Sequence, residues 1–138
     1  MKAYLGIGTN LGDRAANLHR AVEMINEQAG HVLACSSFME TEPWGFTSDN
    51  AFLNAVVEVD TPHSPYELLH ITQKIEREMG RAHKSINGNY TDRIIDIDIL
   101  LYGDESINEP DLIIPHPLMW QRSFVYEPLW EIAPHLKP

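Results

Sequence analysis

The chain has 138 residues, of which 43% are hydrophobic, and it carries a formal net charge of −10 at pH 7. This length fits one domain, residues 1–138, with enough apolar side chains to build a core. The acidic balance argues against binding to nucleic acid or to anionic membranes. Cys35 is the single cysteine and is predicted to be a buried thiol. The lack of a disulfide partner and of a signal-peptide pattern favours a cytoplasmic protein.

The first half of the chain predicts three strands and one helix. Residues 2–8 form the first strand, and a helix follows with Asp13 as its N-cap and Gly30 at its end. A second strand is expected over residues 31–39 and a third over residues 52–59, because β-branched and aromatic side chains dominate both.

The loop over residues 40–51 contains aromatic side chains with no periodic face on which to pack. Trp44 and Phe46 either cover the core or stack on a flat ring. Asn54 follows at the start of the next strand, where its amide either closes a turn or offers a donor and an acceptor to a heterocycle. Gly8, at the end of the first strand, either packs closely or allows a ligand to approach.

A second helix begins at Ser64, with Pro65 at its first position and Glu67 placed to complete a capping box. It ends at Gly80, and a polar loop follows over residues 81–92. The basic side chains of this loop and of the residue after it are Arg81, Lys84 and Arg93, with His83 among them. An acidic chain needs such a local concentration of cations to hold polyphosphate.

Residues 93–101 predict a buried strand, because β-branched and leucine side chains run almost without a break. Alternation places Asp96 and Asp98 on one face, with Cα atoms roughly 7 Å apart. The other face is expected to carry Ile95, Ile97, Ile99 and Leu101. Either the carboxylates are ordinary solvated groups, or a divalent cation such as Mg²⁺ relieves their repulsion.

The C-terminal part contains His116 between two prolines and an amphipathic segment over residues 124–132 that is expected to break at Pro128. A lone histidine is more often structural than functional. The order β-α-β-β-α-β with a C-terminal extension favours an α+β ferredoxin-like sandwich. Its antiparallel sheet would carry both helices on one face and leave the other face free for a site.

Several segments together resemble 6-hydroxymethyl-7,8-dihydropterin pyrophosphokinase of folate biosynthesis. The similar segments are residues 4–13, 37–45, 52–55, 73–76, 80–81, 92–101, 115–116 and 122–134, which include the Asp-Ile-Asp-Ile and Pro-His-Pro motifs. They follow one colinear order over nearly the whole chain. The resemblance implies an enzyme that transfers pyrophosphate from ATP to the hydroxymethyl oxygen of the pterin and releases AMP.

The resemblance also implies roles for individual residues. Asp96 and Asp98 would bind two Mg²⁺ ions that bridge the ATP phosphates, and Arg81 and Arg93 would stabilise charge in the transition state. The implied pterin-binding residues are Thr41, Pro43, Trp44, Phe52, Asn54, Tyr90 and Phe124. The implied ATP-binding residues are Gln73, Glu76, His83, Lys84, Arg93, Ile97, His116 and Arg122. Tyr90 stands near the position of a tryptophan that the family commonly has.

The resemblance implies a monomer whose partners are its small-molecule substrates. A noncatalytic ferredoxin-like module that binds a metabolite and regulates another protein is the alternative, and it leaves the aspartate pair and the basic loop without a purpose. A metal-dependent phosphohydrolase could use the same two aspartates, but no residue is evident that would activate water.

Overall fold

The computed structural model describes residues 1–41, 51–80 and 94–137. The strands are β1 (Lys2–Thr9), β2 (His31–Cys35), β3 (Met39–Thr41), β4 (Phe52–Asp60), β5 (Asp96–Tyr102), β6 (Ile107–Glu109) and β7 (Leu112–Ile114). The helices are α1 (Arg14–Gln28), α2 (Pro65–Glu78) and α3 (Ser123–Ile132). Within these described ranges, no helix is both long and apolar enough to cross a membrane.

The main sheet is antiparallel, with β1 at its centre between β4 and β5. Its strand order is β2-β4-β1-β5, and β3 extends the sheet by pairing with β4. The strands β6 and β7 form a separate hairpin. This order and the α+β element sequence confirm the predicted ferredoxin-like fold.

Both predicted helix starts are confirmed. The side chain of Asp13 accepts a hydrogen bond from the backbone N–H of Ala16 at 3.1 Å, which caps α1. Ser64 and Glu67 form both halves of the capping box that begins α2. Each bond satisfies a backbone donor that the first turn of a helix leaves without an intrahelical partner.

Helices α1 and α2 pack on the same face of the main sheet. Leu18 and Ile25 from α1 and Ile75 from α2 are fully buried there against strand side chains such as Leu5 and Val57. The apolar residues recur at helical spacing in the helices and at alternate positions in the strands, so one side of each element can be dry.

The prediction of one continuous strand over residues 31–39 is wrong. Strands β2 and β3 are separated by residues 36–38, because Ser36 bonds to β4 through its side chain as well as its backbone. Its N–H donates to the carbonyl oxygen of Val56 at 2.9 Å, and its hydroxyl accepts from the N–H of Val56 at 2.9 Å. Cys35, at the end of β2, is exposed rather than buried as predicted.

The predicted face of Leu101 is also wrong. Tyr4 pairs with Leu101 while Leu5 pairs with Ile99, so the register shifts and Leu100 is an extra residue in β5. This bulge turns Leu101 away from the face that carries Ile99.

Helix α3 runs through Pro128, so the predicted break is wrong. Proline lacks the N–H that would have bonded to the carbonyl of Phe124, but burial of Val125 and Leu129 against the sheet outweighs this loss. Helix α3 packs on the face opposite α1 and α2, where it covers Tyr4 and the neighbouring strands. That face is therefore covered in part by α3, and the rest of it is open.

The first two helices also extend side chains to the edges of the sheet. The side-chain oxygen of Asn26 in α1 accepts from the backbone N–H of Val32 in β2 at 3.0 Å. Glu76 in α2 accepts from the backbone N–H of Ile97 in β5 at 2.8 Å.

Candidate active site

A row of three paired residues crosses the sheet on the face opposite α1 and α2. Gly8 in β1 pairs with Asn54 in β4 on one side and with Asp96 in β5 on the other. Paired residues share a face, so the amide and the carboxylate lie on one side of the sheet with Cα atoms roughly 10 Å apart. Gly6 pairs with Asp98 in the next row of the same face. The prediction that both aspartates share a face is confirmed.

Gly8 leaves room for the side chain of Asn54. A Cβ atom at Gly8 would lie 2.7 Å from Oδ1 of Asn54, closer than carbon and oxygen can approach without displacement. A Cβ atom at Gly6 would lie 3.5 Å from Leu100, which is an ordinary contact distance. Gly8 therefore packs closely against Asn54, and its role in the approach of a ligand stays a prediction.

The side chain of Asn54 joins two strands. It is 7% exposed, and its Nδ2 donates to the carbonyl oxygen of Met39 in β3 at 3.4 Å. Thr41, at the end of β3, pairs with Phe52 in β4, two residues before Asn54. Three of the predicted pterin-binding residues therefore lie together at one end of the sheet.

Phe124 and Arg122 lie where α3 begins. The guanidinium carbon of Arg122 is 5.7 Å from the centroid of the Phe124 ring, within range of a cation–π interaction. The Phe124 ring is half-buried against the core beneath α3. An aromatic ring and a cation thus lie side by side at the start of α3.

The backbone holds the ring of His116 in one orientation. Its Nδ1 accepts from the N–H of Leu118 at 3.2 Å, and its own backbone N–H donates to the carbonyl of Leu100 in β5 at 3.0 Å. The neutral ring therefore carries its proton on Nε2. Burial, followed by the charge of Arg122, lowers the pKa of His116, and the charge of Asp96 opposes this. The ring is neutral at pH 7 and lies within the electrostatic reach of both charged groups.

The contact between Glu76 and the N–H of Ile97 was missed in reading the sequence. That N–H belongs to the residue between Asp96 and Asp98, so α2 holds the strand that carries both carboxylates. No local pattern signals a bond between residues 21 positions apart. The side chain of Ile97 is 6% exposed and packs in the core under α1 and α2, so only its backbone is near the site face. Gln73, one turn earlier in α2, is half-buried.

The remaining predicted site residues lie outside the described residues. They are Pro43, Trp44, Arg81, His83, Lys84, Tyr90 and Arg93. Across the described ranges, no three His, Cys, Asp or Glu side chains are grouped so that they could hold a metal ion. A cation at Asp96 and Asp98 would need further oxygen ligands, such as substrate phosphates and water, which is the usual arrangement for Mg²⁺.

Comparison with known proteins connects this geometry to one family. The sequence profile of the 7,8-dihydro-6-hydroxymethylpterin-pyrophosphokinase (HPPK) family matches residues 4–134. The chain belongs to the HPPK family. This membership confirms the resemblance and shows that the protein is an enzyme that transfers pyrophosphate from ATP to hydroxymethyldihydropterin in folate biosynthesis. The alternative of a noncatalytic regulatory module is not supported.

Two relatives of this chain carry the name 2-amino-4-hydroxy-6-hydroxymethyldihydropteridine pyrophosphokinase. The protein of Porphyromonas gingivalis is 53% identical over 136 residues, which cover 98% of this chain and 92% of that protein. The protein of Bacillus subtilis is 42% identical over 132 residues, which cover 95% of this chain and 77% of that protein.

A crystal structure of Plasmodium falciparum HPPK-DHPS has the same fold as this chain. The TM-score is 0.77 at 19% sequence identity, and the match covers 99% of this chain and 40% of that chain. The chain thus spans about two fifths of the length of this larger protein. Identity this low shows the fold alone.

Proposed function

We propose that the pyrophosphoryl transfer takes place at the open end of the sheet face opposite α1 and α2, between Asn54 and the pair Asp96 and Asp98. The observation that carries this proposal is the row Asn54–Gly8–Asp96. It places an amide oxygen that can accept from a flat heterocycle and a carboxylate for a cation on one surface, with only glycine between them. A spacing of roughly 10 Å leaves room for the pterin and the transferred phosphates to meet above Gly8.

The pterin lies over the end of β3 and β4 in this proposal. Asn54 bonds to the heterocycle edge, since its Oδ1 faces the site while its Nδ2 is held by Met39. Phe52 and Phe124 supply apolar ring faces for offset stacking. Thr41 pairs with Phe52 and adds a hydroxyl at the same end. From sequence similarity, Pro43, Trp44 and Tyr90 complete the pocket.

Asp96 and Asp98 fit a magnesium site. Both are half-buried carboxylates on one face of β5, the oxygen ligands that Mg²⁺ prefers. We propose two ions, as the family resemblance implies. When bound, Mg²⁺ neutralises phosphate charge and orients the phosphoryl groups for in-line attack. The protein keeps the two carboxylates in register, because Glu76 holds the backbone between them.

The transferred group needs charge stabilisation rather than a covalent nucleophile. The hydroxymethyl oxygen bonds to the β-phosphorus, the bond from that phosphorus to the α,β-bridging oxygen breaks, AMP leaves with the electron pair, and the hydroxyl proton passes to solvent. The Nε2–H of neutral His116 donates to a phosphate oxygen, and Arg122 adds positive charge beside it. We assign Gln73, Glu76, Ile97, His83, Lys84 and Arg93 to the nucleotide, and Arg81 and Arg93 to transition-state charge.

We further propose that residues 1–138 form one domain that acts as a monomer in the cytoplasm. The acidic surface favours small-molecule partners over nucleic acid and membranes. The charge of −10 also favours separate, soluble molecules.

The reaction is tested by mixing the purified protein with Mg²⁺, ATP and 6-hydroxymethyl-7,8-dihydropterin. The expected products are AMP and the pterin diphosphate in equal amounts, and a chelator should stop their formation. Release of ADP, or of phosphate from ATP without any pterin product, would overturn the assignment. Turnover that persists at full rate in excess chelator would overturn the proposed role of Asp96 and Asp98 alone.

A further inference from the structure

Helix α3 holds the segment between β2 and β3 through a contact that the proposed mechanism does not use. Glu131, near the end of α3, accepts two hydrogen bonds from Ser37. The backbone N–H of Ser37 lies 2.7 Å from Oε2, and its hydroxyl lies 2.6 Å from Oε1. Ser37, which lies 94 positions earlier in the chain, thus bonds to both carboxylate oxygens of Glu131. Both bonds are exposed to solvent, which weakens each of them, but together they engage both oxygens of one carboxylate.

The same segment is fixed to the sheet on its other side. Ser36 is 4% exposed and exchanges two hydrogen bonds with Val56 in β4, one through its backbone and one through its hydroxyl. The hydroxyl of Ser36 also donates to the carbonyl of Ser37 at 2.9 Å. Residues 36 and 37 are therefore bonded to β4 on one side and to Glu131 of α3 on the other.

The segment leads directly into the proposed pterin pocket. Met39 lies two residues after Ser37 and accepts the hydrogen bond from Nδ2 of Asn54. Thr41 follows at the end of β3, paired with Phe52. A displacement of Ser37 would therefore pass along β3 to the amide of Asn54.

The other end of α3 carries the opposite side of that pocket. Phe124 lies seven residues before Glu131, which is two helical turns or roughly 10.5 Å. The helix is thus fixed to β3 near its end and presents the stacking ring at its start. Pro128 removes the hydrogen bond to the carbonyl of Phe124, but the helix continues between the two residues and Val125 and Leu129 are buried against the sheet. The bond at Glu131 therefore limits where Phe124 can lie relative to β3.

We propose that Glu131 is a positioning residue for the pterin: through Ser37 it fixes β3 relative to α3, and so fixes the separation of Thr41 and Asn54 from Phe124. The inference rests on the proposed pterin site. Glu131 contacts no substrate in this role. A pocket formed by two elements loses affinity when their separation changes, even if every contacting residue is intact.

The test compares three variants in the AMP-release assay. Glu131→Ala removes both bonds and should raise KM for the pterin about tenfold, while KM for ATP stays within about twofold. Glu131→Gln should stay within about twofold of wild type for the pterin, because its oxygen can accept from the N–H of Ser37 and its NH₂ can donate to the hydroxyl. Ser37→Ala keeps the backbone bond and should lie between the two.

The matched control is Glu127→Ala, which removes an exposed carboxylate one turn earlier in α3 and should leave both KM values unchanged. Thermal unfolding of every variant checks the folded fraction. An unchanged pterin KM in Glu131→Ala overturns the inference, as does an equal rise in both KM values or a loss confined to kcat.

The double variant Ser37→Ala/Glu131→Ala should have a pterin KM no higher than that of Glu131→Ala, because both substitutions break the same contact. Additive increases in the pterin KM would overturn the inference. If the wild-type protein makes no AMP, the proposed function fails. If the wild-type protein makes AMP and Glu131→Ala has the same KM for the pterin as wild type, only this inference fails.

Discussion

On the face covered by α1 and α2, the central strands contribute aliphatic side chains, and Leu5 and Val57 there are fully buried. On the opposite face the same strands carry Gly8, Asn54 and Asp96 at one end. The alternation of side chains is the same on both faces, but the first face is filled and the second is left partly open.

The open end depends on the filled face for its rigidity. Asn54 is flanked by Leu53 and Ala55, and Asp96 by Ile95 and Ile97, whose side chains pack under the helices. Well-packed cores tolerate little displacement, so packing of these flanking residues helps the polar groups to keep their spacing. Substitutions on the two faces should therefore have separable effects, on stability for one and on turnover for the other.

The largest effect on turnover is expected from the carboxylates. Asp96→Ala and Asp98→Ala should each lower kcat about 10³-fold or more, because each removes a ligand of the proposed Mg²⁺ site. The protein should remain folded, since both side chains are half-buried at an open surface. AMP release measures kcat, and thermal unfolding measures whether the variants remain folded. Asp104→Ala, in the exposed turn after β5, is the control. Near-normal turnover in either variant would contradict the metal assignment.

A substitution on the filled face should lower the stability of the protein rather than its turnover. Leu5→Ala leaves a cavity under the helices and should lower the free energy of unfolding by about 2–5 kcal/mol. The kcat of the folded fraction should stay within about twofold of wild type, because the backbone of β1 is retained. Urea unfolding and an active-site titration check this. A loss of kcat as large as that of Asp96→Ala would show that the two faces are not separable.

A smaller effect on activity is expected from a substitution at Gly8, which lies between the two proposed substrate sites. Gly8→Ala would force Oδ1 of Asn54 away from its place and should raise KM for the pterin about tenfold. Gly6→Ala is the matched control, since its Cβ atom would meet Leu100 at an ordinary contact distance. It should change KM by no more than about twofold. Equal effects of the two substitutions would argue against a specific role for the amide of Asn54.

The smallest effect concerns pH. The pKa of His116 is lower in the folded protein than in the unfolded chain, so the unfolded chain binds more protons in the window just below the usual value of about 6.5. The stability from neutral His116 is present above that value and is lost as pH falls through the window. In metal-free protein, His116→Asn should reduce the drop in unfolding free energy between about pH 7.5 and about pH 5.5. If the drop in unfolding free energy is the same in His116→Asn as in wild type, the half-buried ring is not held in its neutral form.

Local features of the sequence were sufficient where the interacting residues are neighbours. The capping box of Ser64 and Glu67 spans four residues, and the shared face of Asp96 and Asp98 follows from strand alternation alone. The ferredoxin-like order also follows from the order of elements. These predictions needed no information about distant partners.

The predictions that failed depend on distant contacts. The strand predicted over residues 31–39 is divided because Ser36 bonds to Val56, and α3 continues past Pro128 because the sheet packs beneath it. The role of Glu76 at the backbone of Ile97 and that of Glu131 at Ser37 each join residues far apart in sequence. A single sequence reports residue types at such positions but not which residues meet.

The two contacts that α1 and α2 make with the sheet edges have a consequence for association between molecules. Asn26 occupies a backbone donor of β2 and Glu76 one of β5, the two outermost strands of the β2-β4-β1-β5 order. An edge strand recruits a strand from another molecule through such donors, and a side chain from the same molecule that takes one of them interrupts the ladder. A bulge between Val32 and Ala34 distorts the first edge further. The two helices that cover one face of the sheet therefore also hinder strand pairing with other molecules at its two edges.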